Sequence, residues 1–306
     1  MLLALRRLFG RETSAAAEHA GEARDWRQYK WVILPTRQGF IARVEEIWRY
    51  RRILWFFAVQ RIKERYEGTT LGPFWLFARP LMPIAISTVV FGRLLNVPSD
   101  GVPYFLFYLA GASCWRIFER SMLWVAQSLE AAKGLIKKVY FPRIIAPIAS
   151  VAPAVTEFAI LFTLLVIACV VYWIKDGVMY LRVGAGMLAA VAAVVLTCFF
   201  ALAIGLWTSV LQVRHKDVRY SVRYVNQFWN YATPVIYPMS QIPPKYHFIV
   251  YLNPMAPLVE LYKWGMLGIG QFPAKELACA IAIIAIVFGA GLVYFNRSEA
   301  ASVDRL

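Results

Sequence analysis

Five stretches of this chain, 71–95, 103–128, 144–173, 183–211 and 275–295, are apolar over about 20 residues or more, the length an α-helix rising about 1.5 Å per residue needs to cross a hydrocarbon layer about 30 Å thick. A sixth, 218–238 (VRYSVRYVNQFWNYATPVIYP), is more polar but similarly bounded. The stretch 247–268 (HFIVYLNPMAPLVELYKWGMLG) is also apolar, yet Pro254 and Pro257 remove backbone donors and Glu260 and Lys263 add charge. Broken apolar segments persist at membrane depth only when buried in protein or lining water. The pattern predicts an all-α, polytopic membrane protein with six transmembrane helices. A short exterior re-entrant helical hairpin is expected between spans five and six.

Composition supports this. A chain that is 60% hydrophobic with a formal charge of +15 is hard to present as a water-soluble globule, whereas a membrane protein turns apolar residues to lipid and basic ones to anionic headgroups. Nucleic acid is the other common partner of a basic chain. Here, though, the positive charge lies between apolar runs and not on one basic face.

Loop charges set an expected orientation. Residues 1–70 hold fourteen Lys or Arg, the 129–143 loop holds Lys133, Lys137, Lys138 and Arg143, and the 212–223 loop holds Arg214, Lys216, Arg219 and Arg223. The alternate loops, 96–102 and 174–182, hold none and two, Lys175 and Arg182. The positive-inside rule then places both termini in the cytoplasm. Arg297 and Arg305 in the tail agree. No cleavable signal peptide is expected, because Arg6 and Arg7 interrupt the first apolar run.

Residues 1–37 read as a solvated cytoplasmic arm, 38–70 as an amphipathic interface helix with an elbow, and 71–306 as the transmembrane domain. Ile41, Val44, Trp48, Trp55, Val59 and Ile62 recur at helical spacing, with Arg and Glu largely on other faces. Trp48, Trp55, Phe56 and Phe57 make an aromatic band suited to headgroup depth. The alternative is a soluble amphipathic helix packed on the membrane domain. Gly68 gives the chain room to turn, and Pro73 falls in the first turn of the next helix, where its missing donor costs little.

The motifs "RYEGTTLGPFWLFARPL", "VFGRLL", "PYFLFYLAGASCWRIFERS", "GLIKKVYFPR", "TPVIYP" and "LNPMAPLVELYKWGMLG" together resemble the membrane subunit of type 2 ATP-binding-cassette exporters for polysaccharides, the O-antigen, capsular-polysaccharide and teichoic-acid-like permeases. The resemblance runs from about residue 38 to the C-terminus. It departs from the family pattern at Arg79, where a neutral polar residue is expected, and at Arg116, Glu119 and Arg120, which crowd a less charged span.

The resemblance implies a homodimeric channel in the bacterial inner membrane, paired with two copies of a separate ATPase that binds ATP and Mg, and moving a lipid-linked glycan outward. The chain itself carries no G-x-x-x-x-G-K-[ST] phosphate loop, so no cofactor is expected in it. In the family, the loop between spans two and three docks on the ATPase. Here that is Lys133 to Arg143, with Leu135, Ile136, Val139 and Tyr140 as an apolar face and Lys137 and Lys138 as a charged rim; the alternative is a solvated basic loop.

Span five carries two polar stripes. Asn226, Asn230, Thr233 and Tyr237 share one helical face, and Tyr220, Tyr224, Gln227 and Tyr231 form another beside it. Each stripe suits either a glycan path, where Tyr offers a flat ring and a hydroxyl, or helix–helix adhesion. The resemblance favours the path, since spans one and five line the family's channel. The span-two aromatics Tyr104, Tyr108, Trp115, Phe118 and Met122 read as packing.

In-membrane charges need partners or water. Glu119 lies three residues from Arg116 and is close enough to pair with it, while Arg79 has two candidate partners, Glu157 and a lipid pyrophosphate. Prolines 243, 244, 254 and 257 delimit short exterior helices. In the family such helices close the outer mouth, and Glu260 and Lys263 lie three apart, a pairing distance; the alternative is a rigid cap.

Catalytic signatures are absent. Three scattered histidines, no H-E-x-x-H or G-x-S-x-G, and four single cysteines without C-x-x-C spacing argue for a non-enzymatic chain. A membrane-embedded glycosyl- or acyltransferase, with Glu119 and Glu157 as its acids, and a related permease for lipids or drugs are the alternatives.

Overall fold

The computed structural model describes residues 45, 47–66, 72–136 and 141–303, and among them every regular element is helical. In chain order these are α1 (Arg51–Tyr66), α2 (Gly72–Ser87), α3 (Tyr104–Ala126), α4 (Ser128–Ile136), α5 (Ile145–Ala149) and α6 (Ala152–Asp176). They continue with α7 (Gly186–Arg214), α8 (Val218–Tyr231), α9 (His247–Leu252), α10 (Met255–Leu267) and α11 (Ala274–Val303). Single 3-10 turns at Met239–Gln241 and Pro244–Tyr246 separate α8 from α9. The N-terminal arm and the elbow at Gly68 lie outside the described residues.

Four helical stretches are long and apolar enough to cross a bilayer: Phe77–Leu94, Ile145–Asp176, Gly186–Arg214 and Ala274–Ser298. In each, no more than 33% of the apolar window is buried within the chain. The remaining surface needs lipid or another protein against it. Helix α3 is long enough, 23 residues or about 34 Å, but Arg116, Glu119 and Arg120 sit in its second half. It is instead the most enclosed long helix, with 16 of its residues buried. The expected fifth span is helical only over α8, 14 residues or about 21 Å, because the Thr233–Pro238 run (TPVIYP) leaves the helix.

Helix α2 contains Pro80 and Pro83, each removing a donor from the ladder. It then widens into a π-helical turn at Thr88–Leu94.

The bundle is organised on α3 and α7, which pack along each other and receive α6, α10 and α11. Apolar burial concentrates there, with Leu106, Phe107, Phe118, Leu161, Phe200 and Leu258 among its core residues. An aromatic cluster lies at the α3–α7–α8 junction, where Phe118 packs at 5.3 Å ring-centre distance against Trp115, Phe200 and Trp229. Tyr108, Trp115, Phe118 and Met122 are all buried, so the span-two aromatics are packing, as their spacing suggested.

Small residues let the helices meet closely. A Cβ on Gly265 of α10 would lie 2.5 Å from the Gly186 carbonyl oxygen and 2.8 Å from the Ala190 nitrogen of α7, distances that only a glycine permits. Helix α1 packs through Phe57 and Ala58 on Phe141, Ile145, Ala146 and Ala149. Trp48, Trp55 and Phe56 stay exposed, so the expected four-residue aromatic band is divided: three rings face outward and Phe57 faces the bundle.

Replacing Gly265 with Val should force α10 off α7 and cost about 1–3 kcal/mol, read as a lower thermal midpoint of the detergent-solubilised protein. Gly289→Ala, a site with open space around its Cβ, should leave the midpoint unchanged or raise it slightly. Equal midpoints for the Gly265 variant and the parent would refute the close α10–α7 contact.

Candidate functional site

The two polar stripes of α8 separate in the structure. Asn226 and Thr233 are buried, Asn230 and Tyr237 half-buried, while Tyr220, Tyr224 and Tyr231 are 62%, 61% and 59% exposed. Gln227 and Arg223 are exposed beside them. The first stripe therefore meets protein. Thr233 Oγ1 donates to the Trp229 carbonyl at 2.9 Å and Tyr237 Oη to the Tyr231 carbonyl at 3.1 Å. Asn226 is turned inward as well, with both polar side-chain atoms buried and without a hydrogen-bond partner among the described residues. The second stripe is exposed, as are Phe74, Met82 and Ile86 of α2 and Leu94 of the π-helical turn beyond it.

Helix α8 can stop at Tyr231 because the irregular 232–238 segment beyond it finds partners elsewhere in the bundle. Three side chains meet its polar groups. Asn253 Nδ2 donates to the Ala232 carbonyl at 3.3 Å and to Thr233 Oγ1 at 3.0 Å, while its Oδ1 accepts from Trp229 Nε1 at 2.8 Å and from the Met255 amide at 3.1 Å. Lys263 Nζ donates to the Pro234 carbonyl at 2.7 Å and approaches the Val235 carbonyl at 3.4 Å. The same ammonium sits 3.7 Å from the centre of the Phe107 ring. Tyr104 Oη donates to the Ile236 carbonyl at 2.8 Å. Gly111 makes room for the lysine arm, since a Cβ there would lie 2.8 Å from Lys263 Cε.

Of the residues expected at a gate, Pro254 caps α10 and Pro257 falls in its first turn, where a proline costs little; the 247–268 stretch is broken at Asn253–Pro254 into α9 and α10, as its prolines suggested. Lys263 gives its hydrogen bonds to carbonyls, while Glu260 lies near enough to interact with it electrostatically. Glu260, itself buried, lines a cavity of about 270 Å³ with Asp100, His247 and Glu276. Twelve of the thirteen residues of α10 are buried. Sequence reasoning missed Asn253 and Trp229. The Asn253–Pro254 dipeptide marked a turn, but nothing local showed that its amide would reach back about twenty residues.

At the opposite end, α4 carries the first part of the expected docking segment. Lys133 is exposed, while half-buried Leu135 packs beside Phe57, Phe141 and Ile145. Arg143 is half-buried. The side chain of Ile136 and residues Lys137, Lys138, Val139 and Tyr140 lie outside the described set. Glu130 of α4 forms an ion pair with Arg219 at the start of α8, a contact that no spacing along the chain anticipates.

Within the bundle, Glu157 receives Arg116 and Arg120, each at 3.6 Å. In place of the expected Arg116–Glu119 pair, two arginines share one carboxylate. Arg79 is exposed on α2.

The described residues thus give an all-helical chain with four helical stretches long and apolar enough to cross a membrane and one aromatic and polar face of α8 exposed, the character of a multi-pass membrane protein. A family model described as ABC-2 type transporter matches residues 53–267, and the chain belongs to that family. Two curated relatives are similar to it along most of their length. The O-antigen export system permease protein RfbA of Myxococcus xanthus is 25% identical over 262 residues, covering 84% of this chain and 96% of that protein. An O-antigen export system permease protein RfbA of Klebsiella pneumoniae is 26% identical over 241 residues, covering 77% and 88%.

Replacing Asn253 with Leu strands the Trp229 and Met255 donors and the Ala232 carbonyl, and should cost about 2–4 kcal/mol. Thermal unfolding in detergent should show a clear fall in midpoint, with exposed Gln241→Leu unchanged. A midpoint equal to that of the parent would show that Asn253 does not hold this junction.

Proposed function

We propose that this chain is the membrane subunit of an ATP-driven exporter that moves a lipid-linked polysaccharide from the cytoplasm to the outer side of the bacterial inner membrane. Two copies build the passage, and two copies of a separate ATPase supply the work, with ATP and Mg bound there. The names of the relatives support the cargo, and the basic loops support cytoplasmic placement of the α3–α4 end and of both termini. On this reading six segments cross: α2, α3, α6, α7, α8 with its irregular extension, and α11. Helices α9 and α10 form a re-entrant hairpin that does not cross. The outer mouth lies over that hairpin, with Pro254, Pro257, Glu260 and Lys263 framing it.

One observation carries the reading. Tyr220, Tyr224, Gln227 and Tyr231 form an exposed polar and aromatic stripe on α8, the helix that begins the fifth span on this reading. Such a stripe facing lipid would strand its hydrogen-bonding groups, whereas facing a second copy across water it offers rings for sugar C–H faces and hydroxyls for sugar oxygens. Asn226, Asn230, Thr233 and Tyr237 support that helix from behind, and Arg79 on α2 adds a cation beside the path. Motion reaches α8 from the ATPase through the 133–143 segment and the Glu130–Arg219 pair, which ties α4 to the start of the passage helix.

The test is aqueous access. In a chain whose four native cysteines are replaced, single cysteines at Tyr224 and Gln227 should react with a charged, membrane-impermeant thiol reagent in native membranes, and one at Ile86 on α2's exposed apolar side should not. The same membranes, solubilised gently, should yield the chain together with an ATPase, and Leu135→Asp should release it. Unreactive cysteines at 224 and 227 would place the stripe against lipid or protein and overturn the passage.

A further inference from the structure

Charge of the opposite sign collects at the end of the bundle away from α4. In a chain of net charge +15, the cavity of about 270 Å³ there is lined by Asp100, Glu260 and Glu276, with His247 and Gln271 beside them and no Lys or Arg among the described residues of its wall. Phe272, from the connection between α10 and α11, supplies an apolar face. Its ring meets that of Trp264 edge-on, with centres 5.2 Å apart, so the bundle holds it in place. The α2–α3 connection, α9, α10 and the first turn of α11 each contribute to this one cavity.

One of these carboxylates sits where an unsatisfied one costs most. Glu260 is only 5% exposed, and among the described residues it accepts no hydrogen bond. Lys263 acts on it electrostatically but spends its hydrogen bonds on the Pro234 and Val235 carbonyls, while Asp100 repels it. A Cβ on Gly270 would overlap Glu260 Oε1, so the α10–α11 connection passes directly against the carboxylate at a glycine with φ +73°. The other acids are partly engaged: Asp100 Oδ1 accepts from Ser240 Oγ at 3.3 Å, and Glu276 meets the Tyr251 hydroxyl. His247 is turned to the Ile242 carbonyl through Nε2 at 3.1 Å. Three carboxylates against one ammonium leave the cavity negative. A buried carboxylate that meets no donor is a standing cost, which a cation entering the cavity removes.

The shape of the cavity selects among cations. A metal ion needs several oxygens at about 2.0–2.6 Å around one point, and among the described residues no three His, Cys, Asp or Glu converge to hold one. The space is also several-fold larger than an ion with one or two waters fills, at roughly 30 Å³ per water. We propose that this cavity binds an organic ammonium ion, a primary amine carried on a polar body the size of a single sugar ring. Buried Glu260 and exposed Asp100 accept its N–H groups in charge-assisted hydrogen bonds, the Gln271 amide meets a hydroxyl, and the Phe272 ring packs against a C–H face. The bound ligand joins the α2–α3 connection to α10 and to the α10–α11 connection. This site is separate from the α8 stripe and does not rest on the exporter reading.

Glucosamine and N-acetylglucosamine test the proposal, because they share a ring and differ in whether the nitrogen carries charge. The full-length chain is purified in detergent and titrated at constant ionic strength, at a pH that keeps the amine protonated. Glucosamine should bind saturably and raise the thermal midpoint by mass action, and N-acetylglucosamine should bind at least about tenfold more weakly. Glu260→Gln and Asp100→Asn keep the side-chain shapes and should each weaken glucosamine by about tenfold. Residue 100 has a positive φ, which Asn tolerates, so Asp100→Asn keeps the test decisive even where Glu260→Gln fails to run as a monodisperse peak on gel filtration. No saturable binding by the parent, equal binding of the two sugars, or unchanged affinity in Asp100→Asn overturns the site. Calcium that displaces glucosamine while binding more tightly than it does overturns the organic-cation assignment in favour of a metal.

Discussion

A buried backbone group that leaves a helix must find a partner within the protein, and in this chain that requirement converges on one place, the end of α8. The helix stops at Tyr231 after about 21 Å, so the carbonyls of 232–236 leave the ladder. Asn253, Lys263 and Tyr104 each supply donors to them. Those three residues come from the turn before α10, from α10 itself and from α3. The broken end of one helix thereby ties together two others, α3 and α10, and the turn before α10. An ammonium with no measurable exposure is tolerated beside two carbonyls and an aromatic face only because those acceptors would otherwise be stranded.

This arrangement assigns the faces of α8. The inward side is committed to Thr233, Trp229 and Asn253, and Asn226 is turned the same way. The outward side is released from structural work, and it carries three tyrosines and a glutamine. A single chain leaves it uncovered, together with the flank of α2. At the other end of α8, Arg219 meets Glu130 on α4, so the helix is held at both ends: by its junction with Asn253 and α10 and by a solvent-exposed ionic tie to α4.

The helical, multi-pass character was legible because apolar runs of membrane length need no knowledge of partners. The pairing of faces was less legible. Periodicity placed Asn226 and Tyr224 on neighbouring stripes of one helix but could not say which stripe met protein, since that depends on where α3 and α7 lie. The same limit explains the charges: Glu119 is three residues from Arg116, a local neighbour, yet Glu157 on α6 receives the arginine. Glu260 and Lys263 interact electrostatically, as their spacing suggested, but spacing could not show that the lysine's hydrogen bonds go to the Pro234 and Val235 carbonyls. Prolines 254 and 257 marked the break between α9 and α10, but nothing local showed how well buried the second piece would be.

On the proposed reading, α8 presents a wet face to a passage shared between copies and driven from outside the chain. Reconstitution in sealed vesicles tests that reading most directly, with the chain and its co-purifying ATPase in the bilayer, a lipid-linked glycan on the ATPase side, and a glycan-cleaving enzyme enclosed on the other. The expected result is cleavage that requires ATP and both proteins and that falls sharply when Tyr220, Tyr224 and Tyr231 are replaced together by Leu. ATP-dependent cleavage that proceeds unchanged with the three leucines in place would contradict it.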